Sequence, residues 1–447
     1  MGIAFDTIIR GGSVVSSSGI KVADIGILGT TIAAIGDLSD HSASRVVLAR
    51  NQFILPGLID TQVHFREPGM THKEDLESGS RAAVMGGVTT FFEMPNTLPN
   101  TTSAQTLADK LEAASGRCWA NYSFFVGATT ENAPHLAEYE MLPGTPGIKI
   151  FVGSSTGTLL VEAEEVLKEV LTNGTRPTPV HAEDEARLRE RKALISDHPT
   201  AAEHPHLRDA TAAVMATERM IRLSRETGRP VHILHVSTAD ELPIIAAAKQ
   251  EGLKITCEVT PQHMTFDSSD YETLGTFLQM NPPIRDRHHR EAIVQAMQDG
   301  LFDVFGSDHA PHTIEEKSKP YPNSPSGMPG VQTMLGVLLG FVKDGKLTLE
   351  KLVRMGAERP AELYGIEGKG KLEVGYDADI VVVDMDDSQP VTKDWLQSKC
   401  DWSPYEGRTF PGRITSVWVG GHLTVDRGRL EGTAHGTPAK FIWKSNE

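Results

Sequence analysis

The sequence predicts an α/β fold: a (β/α)8 TIM-like barrel with a small β-sandwich domain built from both chain termini. Three observations lead there. Between residues 55 and 369, near-continuous apolar runs alternate with helix-length amphipathic segments, the texture of a parallel sheet covered by helices. Residues 1–54 and 370–447 instead carry short β-rich runs without a helical pattern, and VADIGIL near the start is echoed by DADIVVV near the end. A doubly wound open sheet would want a Gly-rich phosphate turn after an early strand, and none follows.

Taken in order, FDTIIRGG, GIKVADIGILG, TIAAIGD and RVVLARNQFIL are punctuated by Gly, Ser and Asp and read as a small antiparallel unit. GLIDTQVH opens the barrel pattern. VTTFFEM, NYSFFVGA, GIKIFVG, TPVHAE, VHILHVST, KITCEVT and FDVFGSD complete about eight strands. Helical segments such as SAQTLADKLEAAS, VEAEEVLKEVLTNG, ATAAVMATERMIRLSRETG, ADELPIIAAAKQEG and REAIVQAMQDG stand between them. GYDADIVVVDMDD and RITSVWVGGHLTVDRGR return to the sheet texture, so both ends can pair in one sheet-rich unit.

Composition excludes several classes. At 447 residues and 39% hydrophobic content the chain can bury a large core. Its net charge of −16 repels nucleic acid and anionic membranes, so no nucleic-acid or membrane partner is expected. Cys118, Cys257 and Cys400 lack zinc-knuckle or redox spacing and read as buried thiols in a reducing compartment. The N-terminus has no signal-peptide pattern and no apolar run is membrane-length, so the expected location is the cytoplasm.

The chemistry sits where the strand runs end. His64 follows GLID, Asn96 follows FFEMP, Lys149 lies in GIKIF, His181 closes TPV, His235 closes VHIL and Asp308 closes FDVFGS. A lone histidine in an apolar run is more often a packed core residue, and His232, on the opposite face from His235, is read that way. Six polar side chains at one C-terminal rim, however, form the place where this fold puts active sites. Imidazoles and carboxylate-type oxygens suit zinc. Lys149, flanked by Ile148 and Ile150, is an expensive unpaired charge. As a carbamate (N6-carboxylysine) it becomes an anionic ligand able to bridge two cations. Metal-assisted hydrolysis of an amide-like bond, with Asp308 moving the proton, is the predicted reaction class.

Seven motifs carry a resemblance over essentially the full length: VHFREPG (63–69), EMPNT (93–97), GIKIFVGSSTG (147–157), HAEDE (181–185), HVST (235–238), NPPIR (281–285) and SDHAPH (307–312). The chain resembles the cyclic amidohydrolases of the amidohydrolase superfamily, and within them the dihydroorotase branch. The resemblance implies a zinc enzyme with one or two ions. His64, carbamylated Lys149, His181, His235 and Asp308 match metal ligands, and Asp308 also matches the catalytic acid/base. Arg66, Asn96 and His312 match groups on a substrate carboxylate, Asn281 a ring contact, and SPSGMPG (324–330) a loop near the ring that supplies backbone donors. It further implies reversible interconversion of dihydroorotate and N-carbamoyl-L-aspartate in pyrimidine synthesis by a metal-activated hydroxide, and a possible homodimer. Hydantoinase or allantoinase activity, and a non-catalytic relative, are the alternatives. One position departs from the pattern: Gln62 stands where an H-x-H pair would place a second imidazole beside His64. An amide offers zinc only a neutral oxygen, so the metal position beside His64 is expected to be weak or empty.

Overall fold

Apolar, β-branched runs that are buried on both faces can only be central strands of a covered sheet, and the middle of the chain contains a full set. The computed structural model describes residues 4–154 and 159–442. Five strands come first: β1 (Ala4–Ser16), β2 (Gly19–Leu28), β3 (Thr31–Gly36), β4 (Ser42–Leu48) and β5 (Phe53–Pro56). The barrel strands are β6 (Leu58–Val63), β7 (Val88–Glu93), β8 (Asn121–Phe124), β9 (Val126–Gly127), β10 (Ile148–Phe151), β11 (Thr178–His181), β12 (Val231–Ile233), β13 (Ile255–Val259) and β14 (Val304–Phe305). Four more follow: β15 (Ile380–Pro390), β16 (Thr409–Val419), β17 (His422–Asp426) and β18 (Arg429–Leu430).

All pairings among β6–β14 are parallel, in the orders β6-β7-β8 and β9-β10-β11-β12-β13-β14. β8 and β9 are halves of one strand broken at Phe125, so the barrel has eight strands. It closes where Val63 bridges His309 and the His64 N–H donates to the His309 carbonyl at 2.7 Å. Helices lie between the strands. The longest, Ala210–Thr227, starts where the Asp209 side chain accepts from the Ala212 N–H and stops at Gly228 in the left-handed region.

The outer strands form one nine-stranded sheet, β18-β17-β16-β15-β5-β1-β2-β3, with β4 also pairing β1. Its seam is the antiparallel pairing of β5 and β15, Ile54 opposite Val382 and Pro56 opposite Ile380, so the two chain ends hold each other. Ile9, Ile25, Ile27, Ile54, Ile380, Val382 and Trp418 pack as one core. After β18 the tail runs back along the barrel: Tyr122 donates to the Thr437 carbonyl and Ala439 to that of Tyr122. No helix among the described residues is long and apolar enough to cross a membrane.

Removing the indole at the seam's core tests this arrangement. Trp418 is fully buried, so Trp418→Ala is expected to cost about 3–5 kcal/mol, read as a lowered urea midpoint.

Candidate active site

Because every barrel strand points the same way, the residues that end them meet at one mouth. Three of those residues, Arg66, His235 and Asp308, have positive φ (64°, 36° and 44°). Non-glycine residues adopt this region at a cost, and it turns their side chains off the strand direction. Room beneath the mouth depends on Gly306, where a Cβ would lie 2.1 Å from Glu258 Oε2.

Two side-chain groups form. In the first, His181 Nδ1 faces His235 Nε2 at 3.1 Å, while His181 Nε2 meets the Glu183 carboxylate at 2.9 Å. In the second, His64 Nε2 lies 3.3 Å from Asp308 Oδ1, and His64 Nδ1 meets Asn96 Oδ1 at 2.8 Å. Gln62 Nε2 donates to the same Asp308 oxygen at 3.0 Å, and Gln62 Oε1 is buried without a hydrogen-bond partner. Lys149 lies within electrostatic reach of His64, His181, His235 and Asp308. Its amine is sealed from solvent, stands over the Phe151 ring at 4.6 Å and has no hydrogen-bond partner.

Burial dominates the electrostatics. It pushes the Asp308 carboxyl up to about 7, against His181, Lys149 and Arg66, which pull it down. It pulls the Lys149 ammonium down to about 7, against Asp308 and Glu258. Asp60, whose carboxylate accepts from the Gln62 and Ser307 N–H groups, is likewise raised to about 7 by burial. His64 and His235 are held well below the ordinary histidine value, so both rings are neutral.

Arg66 lies beside this cluster, almost fully buried. Its Nε donates to the Pro311 carbonyl at 3.1 Å, Nη2 lies 3.2 Å from His312 Nε2, and Nη1 has no partner. His312 is fixed from the other side: Lys73 Nζ is 3.1 Å from Nδ1, and Nε2 donates to the Ser326 carbonyl at 3.0 Å. Asn281 is held by a different neighbour, its Oδ1 accepting from His204 Nε2 at 2.9 Å. Segment 324–330 is tied down, with Gly327 N–H on the Gln279 carbonyl and Gly330 N–H on His309 Nδ1. Those two N–H groups are engaged within the protein, so any backbone donor that faces a ring comes from other residues of the segment. Residues 155–158, the end of the GIKIFVGSSTG motif, lie outside the described residues. His232 bonds Thr256 at 2.8 Å, as a structural histidine would.

Spacing alone missed Glu183, Arg208 and Lys73. Glu183 had a signal, since it stands two residues beyond His181; Arg208, after the short helix His204–Leu207, had none.

Among the described residues no three His, Cys, Asp or Glu side chains converge at ligand distance. The donor chemistry nevertheless fits a divalent cation. His181 and His64 each have one ring nitrogen held by an oxygen, of Glu183 and of Asn96, and the other beside a second candidate ligand, His235 and Asp308 respectively; an outer oxygen of this kind commonly orients a metal-ligating imidazole. Lys149 contributes a buried, unpartnered nitrogen beside them. Its pairing state is open to test: in metal-free protein Lys149→Met keeps volume and removes the orphan amine, and is expected to raise stability by about 1–3 kcal/mol. A lowered urea midpoint would mean the amine has a partner.

The profile of the Amidohydrolase family matches residues 53–424. A dihydroorotase of Methanosarcina mazei is 36% identical over 448 residues, covering 96% of this chain and 98% of that protein. An allantoinase of Bacillus velezensis is 32% identical, covering 97% of each. Among solved structures, the L-hydantoinase (dihydropyrimidinase) of Arthrobacter aurescens superposes with a TM-score of 0.91 at 29% identity, covering 96% of this chain and 98% of that one.

Proposed function

The chain belongs to the amidohydrolase family and is a cyclic amidohydrolase, and from that premise we propose that it is a dihydroorotase, interconverting (S)-dihydroorotate and N-carbamoyl-L-aspartate in pyrimidine synthesis. One observation carries the substrate choice: the buried Arg66 guanidinium, with Nη1 unpartnered and Nη2 beside His312. A sealed cation with a free donor calls for an anion, and a planar fork suits a carboxylate. Dihydroorotate carries a carboxylate next to its cyclic amide; hydantoin and allantoin do not.

In hydrolysis the ring C–N bond breaks, the oxygen of water joins the carbonyl carbon and a proton passes to the leaving nitrogen. Asp308 is the group for that transfer, since burial brings its carboxyl near neutrality. Arg66, with Asn96 and His312, holds the substrate carboxylate and so fixes which carbonyl faces the cluster; Asn281 contacts the ring. His64, Lys149, His181, His235 and Asp308 would hold zinc, with Lys149 as its carbamate replacing an unpartnered amine by anionic oxygens. Bound zinc supplies Lewis acidity at the scissile carbonyl and lowers the pKa of water. Gln62, with its nitrogen on Asp308, leaves only a neutral oxygen for a second ion. Three free, buried cysteines support a reducing, cytoplasmic location.

The second reading, allantoin or hydantoin hydrolysis, is favoured by the similarity to an allantoinase and an L-hydantoinase. Assaying the three substrates side by side separates them. Dihydroorotate turnover is expected; hydantoin or allantoin turnover without it sinks the dihydroorotase reading. Arg66→Gln is expected to cost about 2–5 kcal/mol in kcat/KM on dihydroorotate and far less on hydantoin. Asp308→Asn is expected to lower kcat about 10²–10⁴-fold on any substrate the enzyme accepts.

A further inference from the structure

We propose that Glu183, clamped by Arg208, is a positioning residue that sets the tautomer of His181 and thereby aims its Nδ1 lone pair into the mouth. The inference rests on the reading of His181 as a metal ligand. Neither Glu183 nor Arg208 belongs to the expected ligand or substrate set.

The geometry is specific. Glu183 is fully buried, and its Oε2 lies 2.9 Å from His181 Nε2. A carboxylate can only accept, so this contact requires a proton on Nε2. With that proton committed, Nδ1 of a neutral ring is bare. The contact on the other side is compatible with this: His235 Nε2 is 3.1 Å from His181 Nδ1, and either ring could donate across it, so with Nδ1 of His181 bare it is His235 that donates. The carboxylate of Glu183, which cannot donate, is the neighbour that selects the tautomer.

A buried carboxylate needs compensation beyond one neutral imidazole, and Arg208 supplies it. Its Nε donates to Glu183 Oε1 at 3.1 Å and its Nη2 to Oε2, a two-pronged contact that fixes the plane of the carboxylate. The same Nη2 donates to the Ser154 carbonyl at 2.7 Å, and the Ser154 N–H donates to Glu185 at 2.6 Å. Ser154 follows β10, the strand that carries Lys149. One guanidinium thus holds the orientation of His181 on β11 and the exit of the neighbouring strand.

A plain structural ion pair would stabilise the fold without governing the imidazole, and the two roles separate by measurement. The full chain, labelled with ¹⁵N-histidine and stripped of metal, is compared as wild type and Glu183→Gln, with the His181 signals assigned by their loss in His181→Asn. The wild-type ring is expected to be neutral with its proton on Nε2. A proton on Nδ1, or a charged ring, overturns the proposal without need of any variant. In E183Q the amide can donate as well as accept, so a mixture of tautomers is expected, together with zinc affinity about 10–100-fold weaker in chelator competition. Arg208→Lys, which keeps the carboxylate and its charge but loses the fork, is expected to keep the tautomer and weaken zinc less. An unmoved tautomer and affinity in E183Q, even with lowered thermal stability, would leave only the structural role. None of these readouts uses dihydroorotate. An enzyme that passes them but fails on that substrate overturns the substrate assignment alone, and one that turns it over with E183Q unmoved overturns this proposal alone.

Discussion

A lysine amine sealed inside a barrel strand, with no hydrogen-bond partner, is the constraint around which the rest of the site is organised. Ile148 and Ile150 on either side pack outward into the core, so alternation leaves Lys149 no direction but the barrel interior. Charged, it would need a partner that the protein does not provide; neutral, it wastes a buried donor. The surroundings pull both ways, with burial lowering the ammonium and the carboxylates of Asp308 and Glu258 raising it. Such a group is held close to changing its state, which is what a residue meant for modification or ligation requires.

Much of this was legible in the sequence because it depends on local periodicity. Every strand named from an apolar run is present, and residues that close those runs lie at the mouth. What the sequence hid depends on contacts between distant segments. Barrel closure rests on a bridge from Val63 to His309, and no pattern in either segment announces it. The single strand read in NYSFFVGA is broken at Phe125. The tail read as part of the terminal sheet returns to lie along β8, a pairing of Tyr122 with residues more than 300 positions away. Arg208 reaches Glu183 from a connecting segment, where a surface arginine would have been the ordinary reading.

Gln62 shows how one substitution shifts the balance of a polar cluster. Its backbone N–H serves Asp60, its side-chain nitrogen serves Asp308, and its oxygen serves nothing. A carboxylate whose partner is an amide hydrogen is satisfied without a cation, whereas an imidazole in the same place would present a lone pair and leave the carboxylate calling for charge. The residue therefore changes which side of the cluster is electron-rich. His181, His235 and Lys149 are untouched by it, while the side carrying His64 is already partly satisfied.

The positive φ values at Arg66, His235 and Asp308 bear on how this protein can change over time. Each is a place where glycine or asparagine would relax the backbone, so random search for heat resistance would be drawn to the very positions proposed to hold the chemistry. Gains there would come with loss of activity, a trade-off fixed by backbone geometry. Durable stabilisation has to be sought elsewhere, in the terminal sheet and the outer helices, where the chain can be improved without disturbing the aim of its strand ends.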